Sequence, residues 1–218
     1  MSFLRGLRDF RGELGVQLGV QAWQWFVIAF LYYGFSFGWN KLGSNIFLSY
    51  VFAGIGELVS MVGSLLLQEH VGRRKTLMAC FLTGTAGFLL ALAPLSLGSQ
   101  KVVTMEQLMC LVGSTAITGA FSTVYLYVTE QSPTTHRGKM LAACSLAARL
   151  GSFCGPQAGL LFTWNRPATL LLFSALSCSA GLVTLRLPET MGLPCPTTAR
   201  EVEERRRKEL VEEGAGAR

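Results

Sequence analysis

Six stretches of this chain run for about 17 to 23 residues with almost no formal charge, the length a helix needs to cross a hydrocarbon core of about 30 Å. They cover residues 21–37, 46–67, 77–97, 108–128, 140–162 and 168–187. In lipid each backbone N–H and C=O must be satisfied within its own segment, so each stretch predicts a helix. A soluble bundle would carry polar faces on most helices, and the third and sixth stretches have none. The expected fold class is all-α: a polytopic membrane protein with six transmembrane helices. Only 15% of the 218 residues are charged, against about a quarter in soluble domains.

The charges that remain set the expected orientation. Arg5, Arg8 and Arg11, then Arg73, Arg74 and Lys75, then Arg137 and Lys139, then the tail from Arg200 fall on one set of connections. The other set has only Lys41, Lys101 and Arg166. Cytoplasmic loops retain Lys and Arg, so residues 1–20 form a cytoplasmic segment, 21–187 the membrane bundle and 188–218 a cytoplasmic charged tail. The formal net charge of +6 is then a consequence of topology, and no nucleic-acid partner is needed to explain it. Residues 1–20 are too charged for a secretory signal, so the first span is expected to direct its own insertion. In the tail, Glu201 and Arg205, Glu203 and Arg207, and Glu204 and Lys208 are four apart, the spacing of an exposed helix. A solvated tail is preferred to an anionic-lipid patch.

Chemistry-bearing motifs are few. Five of the six cysteines, Cys80, Cys110, Cys144, Cys154 and Cys178, lie inside spans as small apolar residues, and Cys195 sits in the reducing cytoplasm. His70 and His136 are isolated and no C-x-x-C occurs, so no metal or other cofactor is expected. The chain has no Gly-x-Ser-x-Gly elbow, no His-Glu-x-x-His and no P-loop Gly-Lys-Ser/Thr, which argues against an enzyme and against ATP hydrolysis.

Polar residues within the spans are the informative exceptions. Glu57 and Arg149 lie near the middle of the second and fifth stretches, where an ionisable group costs a few kcal/mol unless it meets a partner or water. Tyr50, Gly54, Glu57, Ser60, Met61, Ser64 and Gln68 share one face of the second helix, and Ser145, Arg149 and Ser152 one face of the fifth. The other face of the fifth carries Ala143, Ala147, Gly151, Gly155 and Gly159, a small-residue stripe that allows close helix approach. Thr115, Thr118, Ser122 and Tyr125 on the fourth, and Tyr32, Tyr33 and Ser36 on the first, complete four polar stripes. Two readings stay open here: four helices line an aqueous cavity with the third and sixth as scaffold, or Glu57 and Arg149 form a buried ion pair while the hydroxyls bond their own backbones.

The connections carry a family likeness. Glu69-His70-Val71-Gly72-Arg73-Arg74-Lys75 resembles the acidic-x-x-Gly-Arg-Arg signature of major facilitator superfamily transporters. Glu130-Gln131-Ser132-Pro133-Thr134-Thr135-His136-Arg137 and Leu187-Pro188-Glu189-Thr190-Met191-Gly192-Leu193 are similar to loops of its sugar-porter and organic-ion branches. Tyr32-Tyr33-Gly34, Leu42-Gly43-Ser44-Asn45-Ile46-Phe47-Leu48 and Val124-Tyr125-Leu126-Tyr127 narrow the resemblance to solute carrier family 22, the organic anion and cation transporters. It runs from about Trp25 to Glu204 and matches spans seven to twelve, the C-terminal half of the fold.

The resemblance implies a secondary-active transporter of small organic ions working by alternating access, as a half or truncated form in the plasma membrane. It places a basic residue at Arg149 in anion carriers and an acidic one at Glu57, so anions are the expected substrates. Met61 stands where anion carriers commonly have a Lys, which removes a second cationic contact. The expected substrate contacts are Arg149, Glu57, Tyr32, Tyr33, Ser122, Tyr125, Ser145 and Ser152. Glu69, Gly72, Arg73, Arg74, Glu130 and Arg137 are expected to hold the cytoplasmic side closed in one state, with Glu69 standing where Asp is usual. Besides the lipid bilayer, an N-terminal six-helix half or a second copy is the expected partner. The alternative is a non-transporting membrane protein that binds or regulates full-length carriers.

Overall fold

The helix boundaries follow the punctuation of the sequence. In the computed structural model, residues 12–38, 46–95, 100–192 and 194–198 are described, together with Glu201, Val202, Glu204 and Arg207. Lys41, the motif positions 42–45, the arginines before Gly12 and one partner of each four-apart tail pair lie outside the described residues. Among the described residues there are six long helices: α1 (Glu13–Gly38), α2 (Ile46–Val71), α3 (Arg73–Leu90), α4 (Gln100–Gln131), α5 (Arg137–Trp164) and α6 (Arg166–Thr184). Helix α1 begins at Glu13, ahead of the expected residue 21, because Leu14 and Leu18 are buried and extend its apolar face.

Between α2 and α3 stands the single residue Gly72, at φ 99°, a backbone conformation closed to most other residues. Helix α3 stops at Leu90, and the short turn Leu92–Leu95 follows. Pro94 has no N–H to return to the Leu90 carbonyl, so the ladder breaks there. Asn165 starts α6, its side chain accepting from the Ala168 N–H at 3.2 Å.

Small residues decide the packing. Helix α1 lies along α5, where a Cβ on Gly151 would meet the Phe26 carbonyl oxygen at 2.3 Å and one on Gly155 the Phe30 oxygen at 2.8 Å. Gly34 answers from α1, its Cβ position 3.0 Å from the Gly155 oxygen. The α5 stripe therefore brings two backbones into contact. Helix α3 wedges between α4 and α6, with Gly87 against the Gly113 backbone and the Ser177 hydroxyl donating to the Phe81 carbonyl at 2.8 Å. Phe35, Phe88, Phe173 and Phe30 form a continuous aromatic core, with ring centroids 5.6 to 6.2 Å apart.

Helix α2 touches the rest mainly through α4. Gln68 donates to Thr123 at 3.0 Å, Ser64 and Ser122 share a bond of 2.8 Å, and Ser60 donates to the Thr115 carbonyl. Its other faces, with Val51, Ile55, Leu58, Val59, Val62 and Leu66, are exposed. Helix α3, expected as lipid-facing scaffold, is packed more deeply than α2, because Gly84 and Gly87 let two neighbours close on it.

Among the described residues, α1, α2, α4 and α6 are long and apolar enough to cross a bilayer. Helix α3 carries Arg73, Arg74 and Lys75 in its first turn, and α5 carries Arg137, Lys139 and Arg149 among many small residues, which lowers their apolar content. The tail also differs from its expected solvated form. Val202 is 5% exposed and joins the core, and the Thr134 N–H donates to the Pro196 carbonyl at 3.2 Å, so the segment after α6 folds back onto the bundle.

The α1–α5 contact generates a stability prediction. Gly151→Leu forces the two backbones apart and should cost about 1–3 kcal/mol, whereas Gly63→Leu projects into open space and should cost little. Thermal unfolding of the two variants in detergent, followed by size-exclusion chromatography, checks the difference.

Candidate functional site

Glu57 faces α1 because the polar stripe of α2 must turn away from lipid. A cavity of about 240 Å³ opens there between α1, α2 and α4, floored by Phe88 of α3. Tyr32, Phe35 and Ser36 line it from α1, Tyr50, Gly54 and Glu57 from α2, and Ser114, Ile117 and Thr118 from α4. Among the described lining residues Glu57 alone is charged, and the Tyr32 phenol lies within interaction distance of the carboxylate.

The serine and threonine hydroxyl protons in this cavity are already committed. Ser36 donates to the Tyr32 carbonyl at 2.7 Å, Ser114 to Leu111 at 3.0 Å and Thr118 to Ser114 at 3.1 Å. What these groups offer a visitor is lone pairs. Together with the carboxylate they make an acceptor-rich lining suited to a donor.

Arg149 stands apart from that lining. It is exposed on α5, and no ion pair of Arg149 occurs among the described residues, so it does not pair with Glu57. Ser145 and Ser152 share its face, and Ser152 donates to the Arg149 carbonyl at 2.9 Å. Tyr33 is at the exposed edge of α1, its ring perpendicular to that of Tyr32 at 5.3 Å. Tyr125 is half-exposed on α4, 4.2 Å from the ring of Trp25. Ser122 is engaged in the α2–α4 contact, bonded to Ser64 and to the Gly119 carbonyl. Of the expected substrate contacts, Tyr32 and Glu57 share the cavity, Arg149, Ser145 and Ser152 share a different surface, and Ser122 lies between helices.

A second constellation gathers the three connections at one end of the bundle. The Arg73 guanidinium lies 3.0 Å from the Glu130 carboxylate, with about a fifth of each side chain exposed, and also donates to the Gln68 carbonyl at 3.3 Å. Thr190 donates to the other Glu130 oxygen at 2.9 Å. Glu189 caps the start of α3, one oxygen accepting from the N–H groups of Arg73 at 3.0 Å and Arg74 at 3.4 Å, and from those of Thr190 and Met191. An anion at a helix N-terminus satisfies donors that the helix leaves free. Gly72 is needed for this approach, since a Cβ there would sit 2.9 Å from the Glu189 carboxyl carbon. Arg74 reaches the Leu185 carbonyl at 2.6 Å, and the Tyr127 hydroxyl donates to the Pro188 carbonyl.

Gly72, Arg73, Arg74 and Glu130 are thus brought together, while Glu69 is exposed at the end of α2 and Arg137 is half-buried at the start of α5. Glu189 and Thr190 belong to the network without having been expected in it. Their position after the last span was the available signal. At the opposite end of α4, Glu106 is almost wholly buried 3.8 Å from Arg166, a pair that sequence reasoning also missed. Its signal was a lone carboxylate just before a long apolar run.

Residues 14–156 match the Major Facilitator Superfamily. Solute carrier family 22 member 15 of Xenopus tropicalis is 35% identical over 184 residues, which is 82% of this chain and 34% of that protein. An organic cation transporter-like protein of Drosophila melanogaster is 35% identical over 78% of this chain and 29% of its own length. Human solute carrier family 22 member 12 is 33% identical over 82% of the chain and 32% of its own length. The chain spans about a third of the length of these curated relatives, which are transporters and not enzymes. It is a multi-pass membrane protein that belongs to the major facilitator superfamily, and most of its length is similar to solute carrier family 22.

Proposed function

We propose that this chain forms one six-helix half of a secondary-active transporter of small organic ions, working by alternating access in the plasma membrane. The observation that carries the charge preference is Arg149. A guanidinium placed mid-helix without an acidic partner among the described residues attracts an anion strongly where screening is poor. Ser145 and Ser152 flank it as polar contacts. The end that gathers Arg73, Arg74, Lys75, Arg137 and Lys139 is the cytoplasmic one by the distribution of positive charge, which puts both termini inside.

The network of Arg73, Glu130, Glu189 and Thr190 then acts as a cytoplasmic clasp. It ties the α2–α3 junction, the end of α4 and the segment after α6, so those parts move as a body. A partner bundle, an N-terminal half or a second copy, would rock against that body.

The acceptor-rich cavity around Glu57 favours a second reading, in which the transported ion is a cation held by the carboxylate and the phenols of Tyr32 and Tyr50. The alternative for the same six helices is a non-transporting role, binding or regulating full-length carriers. Uptake into proteoliposomes containing this chain alone, compared with the chain co-assembled with six further helices, separates transporter from regulator.

In a transport-competent assembly, Arg149→Ala should lower anion uptake by about tenfold or more, the loss expected when a charged hydrogen bond of about 1.5–3 kcal/mol is removed, and Arg205→Ala in the tail should leave it unchanged. Equal effects would remove the assignment. Under the second reading Glu57→Gln abolishes cation uptake and Arg149→Ala does not.

The clasp is tested by charge exchange. Arg73→Glu and Glu130→Arg should each slow transport and lower thermal stability, and the double exchange should recover part of both. Absence of any recovery would show that the two residues act independently.

A further inference from the structure

The buried surface of α1 carries a polar seam that neither the cavity nor the clasp uses. Gln17, Gln21, Gln24 and Trp25 fall at i, i+4, i+7 and i+8, on one face, and each is at most 2% exposed. Gln21 donates to the carboxamide oxygen of Gln131, the last residue of α4, and Gln24 donates to the hydroxyl of Thr184, the last residue of α6, at 2.8 Å. Those two bonds join three helices.

They leave the seam half made. Both polar atoms of Gln17, the Oε1 atoms of Gln21 and Gln24, the Trp25 Nε1 and the Gln131 Nε2 have no partner among the described residues. The set holds three donors, on Gln17, Trp25 and Gln131, and three acceptors, on Gln17, Gln21 and Gln24. A carboxamide offers two donor hydrogens and two acceptor lone pairs, so even the bonded glutamines have unused capacity.

A metal ion does not suit these groups. Gln17 and Gln24 are seven residues apart, about 10.5 Å along the axis, so their oxygens cannot converge on one ion. The unpartnered N–H groups of Trp25, Gln17 and Gln131 would face a cation with the wrong sign. The nearest carboxylate on α4, Glu130, is occupied by Arg73 and Thr190. Water both donates and accepts, and takes two to four partners.

We propose that this seam is a built site for a short file of ordered waters bridging α1, α4 and α6, running from the clasp end of the bundle to Trp25. The Trp25 ring lies 4.2 Å from Tyr125, and Tyr125, Phe121 and Tyr32 continue as neighbouring rings at 5.4 and 6.1 Å to the Glu57 cavity. The aromatic rings end the file and separate it from the cavity. The waters keep α1 hydrogen-bonded to its neighbours within the bundle, independently of whether the chain transports anything.

Radiolytic hydroxyl labelling of the full chain in lipid nanodiscs, read by mass spectrometry, tests the file, because the radical forms where water is bound. Trp164, 89% exposed as the last residue of α5, is the reference outside the bundle. Bound water should label Trp25 within about fivefold of Trp164 despite its burial, and slower labelling overturns the proposal. Gln17→Leu removes only unpartnered atoms, so the variant should fold and its Trp25 labelling should fall below that threshold. Labelling unchanged in Gln17→Leu overturns the proposal, as does labelling that vanishes when N-methylglucamine replaces sodium, which would indicate a cation. Should Gln17→Leu fail to assemble, the rate in the unsubstituted chain still decides.

Discussion

A polar group inside a membrane has no bulk water to fall back on, and that constraint organises this bundle. Hydroxyls on α2 and α4 solve it by turning toward one another, so Ser60, Ser64 and Gln68 find Thr115, Ser122 and Thr123 across the contact. The apolar residues of α2 are left outside. This is why the helix with the strongest polar stripe is also the one with the most exposed apolar surface. Polarity holds α2 to its neighbour, and its leucines and valines are free to meet lipid.

Glycine provides the complementary device. Lipid offers no hydrophobic gain when two apolar helices meet, so close backbone contact and dispersion must do it. Gly34, Gly151 and Gly155 allow this between α1 and α5, and Gly87 and Gly113 between α3 and α4. These contacts fix the positions of Phe30, Phe88 and Phe173, and the aromatic core then supports the floor of the Glu57 cavity.

Much of this was legible before the structure. Six apolar stretches follow from their length and lack of charge, and the small-residue stripe on α5 and the stripe holding Glu57 follow from periodicity, because a helix repeats its faces every three or four residues. The clasp was half legible. Gly72, Arg73 and Glu130 stand out in their loops, but nothing local to Glu189 says that it caps a helix starting 116 residues earlier. Such a contact is made by tertiary folding and leaves no periodic trace. The same reason hid Glu106 and Arg166. The glutamines of α1 were hidden differently: Gln17 lies before the expected start of the span, and a carboxamide looks like a surface residue until its helix is extended by Leu14 and Leu18.

Charge placement gives the structure its asymmetry. Glu57 sits in a cavity shared by three helices, where a phenol and several lone pairs surround it, while Arg149 is exposed on α5 with α1 packed against the same helix. The two charges are thus held on separate surfaces, and neither neutralises the other. A carboxylate near a phenol and a small cavity is tolerable within one bundle. A mid-helix guanidinium with no ion pair among the described residues costs about 2.5–3.5 kcal/mol where it meets lipid. The exposed surface around Arg149 is therefore the one whose energy falls most when water, a counter-charge or a second bundle comes to it.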